Sequence, residues 1–260
     1  MGIALVRLDA AGNVVWGRAY AGTAFEDFPS GTKVRELPDG TFTVVGRSRT
    51  GVIMQGRMIH VGPGGGPLWG GSYSLVGPPA ELSFTDVRFV PANGAMAAGY
   101  FVSGWVREEM AAQRSALLMR TDVAGTPLAT WTYSIPNQSV TADGLTIIGN
   151  NVVLSGRISP TPTAPATRTL ITSVTRAAGT VNWARVQSNF RNGFAALATD
   201  FGTIVVAGTV PTNGDIGLVK LSGAGATIFA NSHDALGEGH DVVNMPGFGA
   251  GLSLIHISEP

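Results

Sequence analysis

One stretch recurs along this chain and limits what it can fold into. Leu5-Val-Arg-Leu-Asp-Ala-Ala-Gly-Asn-Val-Val-Trp16 reads as a short alternating strand, a turn centred on glycine, and a second strand that closes on an aromatic. The same grammar returns at Gly56 to Trp69, Leu117 to Trp131, Leu170 to Trp183 and Gly217 to Phe229. Between copies a second pair of alternating runs meets at a tight turn, as at Pro38-Asp-Gly40 and Asn93-Gly94. Asp-Gly and Asn-Gly between apolar runs are strong hairpin signals, because the favoured two-residue turns need positive φ. Trp16, Trp69, Trp131 and Trp183 are separated by 53, 62 and 52 residues, and Gly46, Gly99, Gly156 and Gly208 by 53, 57 and 52. Two independent landmarks keep nearly one period.

A period near 50 residues carrying four strands is the signature of a radial β-repeat, in which each four-stranded sheet is a blade. A lone sheet of this size leaves one face wet, and stacking the next sheet on it removes both faces from water. The expected fold is therefore all-β, a β-propeller of four-stranded antiparallel blades. Five units are visible, at about 1–50, 51–105, 113–160, 168–212 and 215–251, as a fragment of a larger propeller that closes with about six to eight blades. Alone, the five are expected to form an arc or a strained five-bladed ring. Trp16, Trp69, Trp131, Trp183 and Phe229 belong in the seams between blades. Gly46, Gly99, Gly156 and Gly208 mark places where backbones crowd together or a strand bends. Two segments break the pattern. Ser103 to Arg114 has helix-forming composition. Ser159-Pro-Thr-Pro-Thr-Ala-Pro-Ala166 lacks the N–H donors of a ladder and is expected as an extended surface loop.

Composition narrows the function classes. The 36 glycines and the low charged fraction of 13% suit turn-dense β-structure, and 44% apolar residues with zero net charge argue against disorder. A neutral chain has no electrostatic case for nucleic acid. There is no cysteine, so thiolate chemistry and Cys-ligated metal are excluded. No apolar run approaches the roughly 18 residues that span a bilayer, so no membrane insertion is expected. Met1-Gly-Ile-Ala-Leu-Val-Arg7 enters the first strand without the pattern of a signal peptide. At the other end, Leu252-Ser-Leu-Ile-His-Ile-Ser-Glu-Pro260 resembles a translated transposon-end adaptor of sequencing libraries, since CTG-TCT-CTT-ATA-CAC-ATC-TCC-GAG-CCC would read out those nine residues. Residues 252–260 are therefore expected to be a non-native tail.

The repeat, followed by Pro-Asp-Gly-Thr-Phe-Thr-Val-Val-Gly46, resembles the bacterial β-propeller repeats of the delta-60 and seven-bladed propeller-repeat families over residues 3 to 251. Those families are common in secreted and cell-surface proteins. The resemblance alone implies an extracellular, cell-surface or periplasmic location and a binding scaffold without enzymatic activity. The turn and its Trp are also similar to the tryptophan-docking repeat of pyrroloquinoline-quinone dehydrogenases. In that family the turn carries Thr-Gly-Lys and Ca²⁺ is held by a Glu/Asn/Asp set, and neither is matched here.

Candidate sites are sparse. Lys33, Asp86, Asp143 and Ala195 stand thirteen residues before the repeated glycine, and Asp241 occupies a similar context in the fifth unit. A ring of carboxylates would offer oxygen ligands to Ca²⁺, but Lys33 and Ala195 interrupt it, and a backbone-capping role for the aspartates is the simpler expectation. His233-Asp234 and His240-Asp241 match no metal-ligand spacing. His60 stands alone and receives no role. Gly62-Pro-Gly-Gly-Gly-Pro67 lacks the Lys-Ser/Thr of a phosphate loop. Asn137-Gln-Ser139 is a formal glycosylation sequon. Trp105, outside the repeat register, with Tyr100 and Phe101 offers a stacking platform for a sugar or peptide. The sequence assigns no catalytic residue, no cofactor and no metal site, and the expected partners are a protein or a glycan.

Overall fold

The alternation becomes strands nearly everywhere it occurs, because β-branched and aromatic side chains suit a pleated surface while Asp, Asn and Gly turn the chain back. The computed structural model describes residues 2–21, 26–50, 53–75, 81–94, 96–108, 112–210, 215–233, 241–244 and 252–255. Among them every regular element is a strand. β1 (Gly2–Leu8) and β2 (Val14–Ala21) make an antiparallel pair. β3 (Glu26–Glu36), β4 (Phe42–Thr50), β5 (Ile53–Val61) and β6 (Pro67–Tyr73) form a four-stranded sheet in chain order. β7 (Glu81–Val90), β8 (Gly99–Arg107), β9 (Ser115–Asp122) and β10 (Pro127–Tyr133) form the next. In the third sheet β11 (Ser139–Val140) and β12 (Gly144–Ile148) both pair with β13 (Asn151–Ser159), which is followed by β14 (Arg168–Thr175) and β15 (Val181–Gln187). β16 (Asn192–Ala198), β17 (Thr203–Thr209), β18 (Ile216–Ser222) and β19 (Thr227–His233) complete the fourth. β20 (Asp241–Asn244) pairs with β21 (Leu252–Ile255), which lies in the adaptor-like stretch. The chain divides into two compact units, Met1–Ala111 with Met119–Thr130, and Ala112–Leu118 with Trp131–Pro260.

The four-stranded sheets expected from the period are present, but they are out of phase with the sequence units. The second hairpin of one unit joins the first hairpin of the next, as β3–β4 joins β5–β6. Only two residues separate β4 from β5, which forces those strands into antiparallel neighbours. A second difference concerns Ser103 to Arg114. Its first part is the end of β8, where Trp105 pairs with Ser83 and Arg107 with Glu81, and residues 109–111 lie outside the described residues.

Burial is graded across each sheet. The second strands β8, β13 and β17 are almost continuously buried, as befits strands covered on both faces. The fourth strands β6 and β10 alternate between exposed and half-buried positions. In the first unit Phe42, Ile59 and Val61 pack with Leu5, Trp16 and Tyr20. In the second, Val153 and Ile171 pack against Ile204, Val206 and Val219 of the following sheet.

In three of the sheets the first two strands share a β-bulge, and a glycine faces it. The register slips at Gly31/Lys33, Phe84/Asp86 and Gly193/Ala195, opposite Gly46, Gly104 and Gly208. Gly156 occupies this place in the third sheet, where a Cβ would meet the Thr141 carbonyl. Gly99, expected in this series, lies elsewhere and faces the Thr121 carbonyl. The tip between β7 and β8 is longer than its counterparts, and this moves the equivalent position to Gly104. Gly156→Ala is expected to cost about 2–4 kcal/mol in a denaturant melt, because the clash is with backbone. Gly66→Ala, where a Cβ would meet nothing within 4 Å, is expected to stay within about 0.5 kcal/mol of wild type.

Candidate functional site

The most regular side-chain constellation joins each sheet to the turn of the next. In four of the outer hairpins a register shift follows the residue paired with the aromatic, at Arg7/Leu8, His60/Val61, Ser173/Val174 and Lys220/Leu221. The bulge turns the ring out of the ladder and over the neighbouring hairpin. A Cβ on Gly65, Gly125, Gly179 or Gly225 would lie within 3.0 Å of the indole of Trp16, Trp69, Trp131 or Trp183 respectively. Each of these glycines has positive φ, between 66° and 83°, so the turn needs glycine for its backbone and the ring needs it for contact.

Phenols complete the clamp. Tyr20 donates to the Gly65 carbonyl at 2.7 Å, Tyr73 to Gly125 at 2.7 Å and Tyr133 to Gly179 at 2.9 Å. In the fourth seam Arg185 takes this place, its Nε donating to the Gly225 carbonyl at 3.1 Å. Trp16 and Trp183 also donate their ring N–H to Pro63 and Gly223 carbonyls. Burial raises the Tyr20 hydroxyl and pushes those of Tyr73 and Tyr133 up to about 12. The tyrosines were not singled out from the sequence, yet three of the chain's four follow a Trp by two or four residues.

The aromatic platform expected at Tyr100, Phe101 and Trp105 does not form. All three are buried, at 2%, 1% and 4% exposure, because β8 is a second strand covered on both faces. Tyr100 packs edge-on to His60 and Trp69 with ring centroids 6.1 and 5.9 Å apart, and His60 stacks on Trp69 at 5.3 Å. Thr43 Oγ1 lies 3.1 Å from His60 Nδ1. Burial holds this imidazole below its ordinary range, against the opposing pull of Asp39.

The aspartates are engaged with arginine. Asp86, 1% exposed, accepts from Arg35 Nε and Nη2 at 3.1–3.2 Å and from the Val87 N–H at 2.8 Å. Asp143 accepts from Arg157 Nε at 2.8 Å and from Thr141 Oγ1 at 3.0 Å. Ala195 is buried. Among the described residues no three His, Asp or Glu side chains converge as metal ligands. Asp234 and His240, and the side chains of His233 and Asp241, lie outside the described residues. Asn137 adopts a φ of 59°, at the tip of a turn closed by the Gln138 N–H on the Ile135 carbonyl.

Loop side chains gather at one edge of the second unit. Ser139 Oγ accepts from the Arg114 N–H and donates to Gln113 Oε1, while Arg114 Nη1 donates to the Pro162 carbonyl. Arg168 Nη2 donates to Gln138 Oε1 at 2.7 Å. The Pro-Thr loop is held from within by Ser159 Oγ on the Thr161 carbonyl and by the Ala164 N–H on Thr161 Oγ1. Pro160, Thr161, Thr163 and Pro165 are exposed.

Solved structures match this arrangement of sheets. A crystal structure of a protein of unknown function from Bacteroides caccae superimposes with a TM-score of 0.54 at 11% identity, over 88% of this chain and 74% of that one. The Dos1 propeller superimposes with a TM-score of 0.54 at 14% identity, over 89% of this chain and 54% of that one. The chain thus spans about three quarters of the first and about half of the second. No protein-family profile and no curated protein sequence matches it. The chain has the β-propeller fold. No helix among the described residues is long and apolar enough to cross a membrane.

The clamp makes a signed prediction for alkaline solution. A phenol whose folded pKa is raised stabilises the fold fully below its ordinary value near 10 and loses that contribution as pH climbs toward about 12. Denaturant melts between those limits should show wild-type stability falling with pH. The Tyr73→Phe/Tyr133→Phe double variant should be less stable at neutral pH and show a flatter alkaline profile.

Proposed function

We propose that the protein is a non-enzymatic binding module of an exported or cell-surface bacterial protein, taking a protein or glycan ligand on the loop edge of its sheets. The supporting observation is where the chemically capable side chains go. Asp86 and Asp143 hold arginines, the aromatics of β8 fill the core, and the indoles and phenols of the outer strands hold the seams. The connections between second and third strands differ in length from sheet to sheet. Two residues join β4 to β5, whereas eight join β13 to β14, and those eight are ordered by hydrogen bonds with proline and threonine side chains outward. A stiff loop with little entropy left to lose is a favourable recognition surface. The exported location rests on the resemblance to surface propeller repeats.

A glycan array and a pull-down from culture supernatants test this reading. The wild-type chain should retain a ligand. Replacing residues 160–167 by a Gly-Ser segment of equal length should weaken capture at least about tenfold with the unfolding midpoint unchanged. Turnover of a small substrate, or a new absorbance band on adding pyrroloquinoline quinone with Ca²⁺, would contradict it.

A further inference from the structure

The residue paired with the outer aromatic is Arg7 opposite Trp16, His60 opposite Trp69, Ser173 opposite Trp183 and Lys220 opposite Phe229. Arg7 and Lys220 are permanent cations, and the Arg7 guanidinium lies 5.4 Å over the Phe42 ring. Tyr100 stands to Trp69 as Phe42 stands to Trp16, edge-on with centroids 5.9 and 5.7 Å apart. His60 therefore occupies a place where other copies of the repeat carry a fixed charge, and its own charge is set by pH.

The groups around it suit the neutral ring. Thr43 Oγ1 lies 3.1 Å and the Tyr100 hydroxyl 3.4 Å from His60 Nδ1, and Tyr100 is also bonded to Thr43. All three residues are buried. With Nδ1 as acceptor, both hydroxyl protons have a place to go within the group. A protonated imidazole accepts nothing. Three protons then share two hydroxyl oxygens, and whichever way the hydroxyls turn, one O–H is left pointing outside the group, at a cost when buried. Among the described residues, Asp39 in the β3–β4 turn is the charged group that faces the ring, and it favours the proton, as does the Phe42 backbone. Asp39 is itself engaged by the Thr41 N–H and hydroxyl, and burial of His60 outweighs it. Thr43 on β4 and Trp69 on β6 carry no charge, and Tyr100 on β8 is the other titratable group in contact.

We propose that His60 is a proton-operated latch on the seam between the β3–β6 and β7–β10 sheets. Neutral, it closes the hydroxyl chain and stacks on Trp69; protonated in mildly acidic solution, it breaks the chain, leaves the stack and opens the seam at its turn end. Thr43 and His60 belong to one sheet and Tyr100 to the next, so the chain is itself a contact between sheets. Its contribution is complete above the imidazole's ordinary value of 6.5 and is lost as pH falls below it, because the folded chain resists the proton that the unfolded chain accepts.

Proton NMR of the full chain between about pH 8 and 4, combined with amide hydrogen exchange at the two sides of the transition, tests the proposal. The His60 ring signal, assigned by its Overhauser contacts to Trp69 and Tyr100, should titrate below 6.5. Its upfield displacement by the indole should vanish over the same range. Corrected for intrinsic rates, amides of β5 and β8 should exchange at least about fivefold faster on the acid side, while those of β17 and β18 change less than about twofold. His60→Gln keeps an acceptor for Thr43 without a titrating group, and its β5 and β8 amides should keep their protection. A midpoint at or above 6.5, an indole displacement that survives titration, or β5 and β8 loosening no more than β17 and β18 would each overturn the proposal from wild type alone. Equal acid loosening of β5 and β8 in His60→Gln would overturn it as well.

Discussion

Everything in this molecule depends on an indole ring lying flat against a glycine that has no side chain to hold it off. Within a sheet, hydrogen-bonded ladders satisfy the backbone, but they do nothing for the two apolar faces. Those faces are covered only if the next sheet approaches closely, and the approach is set at the outer hairpins. There the turn needs glycine for positive φ, the ring needs glycine for contact, and the bulge aims the ring. Turn, bulge and aromatic therefore recur together, because losing any one leaves the other two without a purpose. Tyr73 and Tyr133 add a directional element, since a phenol that donates to the glycine carbonyl fixes how far one sheet slides along the next.

Inside the seams the physics changes from contact to charge. Asp86 is nearly fully buried, which is tolerable only because Arg35 meets it with a forked pair of donors and the Val87 N–H supplies another. Arg35 belongs to one sheet and Asp86 to the next, so the pair ties sheets together, whereas Asp143 and Arg157 tie strands within one sheet. The same aspartate position thus serves two structural ends. Among the segments the repeat does not constrain, the Pro-Thr loop is held by its own hydrogen bonds.

Strands, period and aromatic landmarks were legible in the sequence because alternation and turn chemistry are local. Phase was not, since which strand pairs across a connection is a non-local choice: the two-residue link from Thr50 to Ile53 points to β4–β5, but β13 pairs with β14 across eight residues while β15 and β16, four apart, belong to different sheets. Gly99 crowds a backbone as the period suggests, against the Thr121 carbonyl, but the bulge faces Gly104 because a longer tip shifts it, and spacing alone does not show which glycine faces it. Ser103 to Arg107, the start of a segment of helix-forming composition, is strand because Trp105 and Arg107 are held by cross-strand partners. Tyr100, Phe101 and Trp105 looked like a surface platform because composition does not reveal that a second strand is covered on both sides. The arginine partners of Asp86 and Asp143 lie 51 and 14 residues away and follow no motif.

The central claim is that ring and glycine are coupled directly, and a double-mutant cycle between Trp131 and Gly179 measures that coupling. In wild type, Gly179→Ala suffers both positive φ and collision with the indole. In the Trp131→Ala background only the φ penalty remains, so the cost of Gly179→Ala should fall by at least about 1 kcal/mol. Costs that add within about 0.3 kcal/mol would show that the ring does not rest on the turn, and the account of how successive sheets are joined would be wrong.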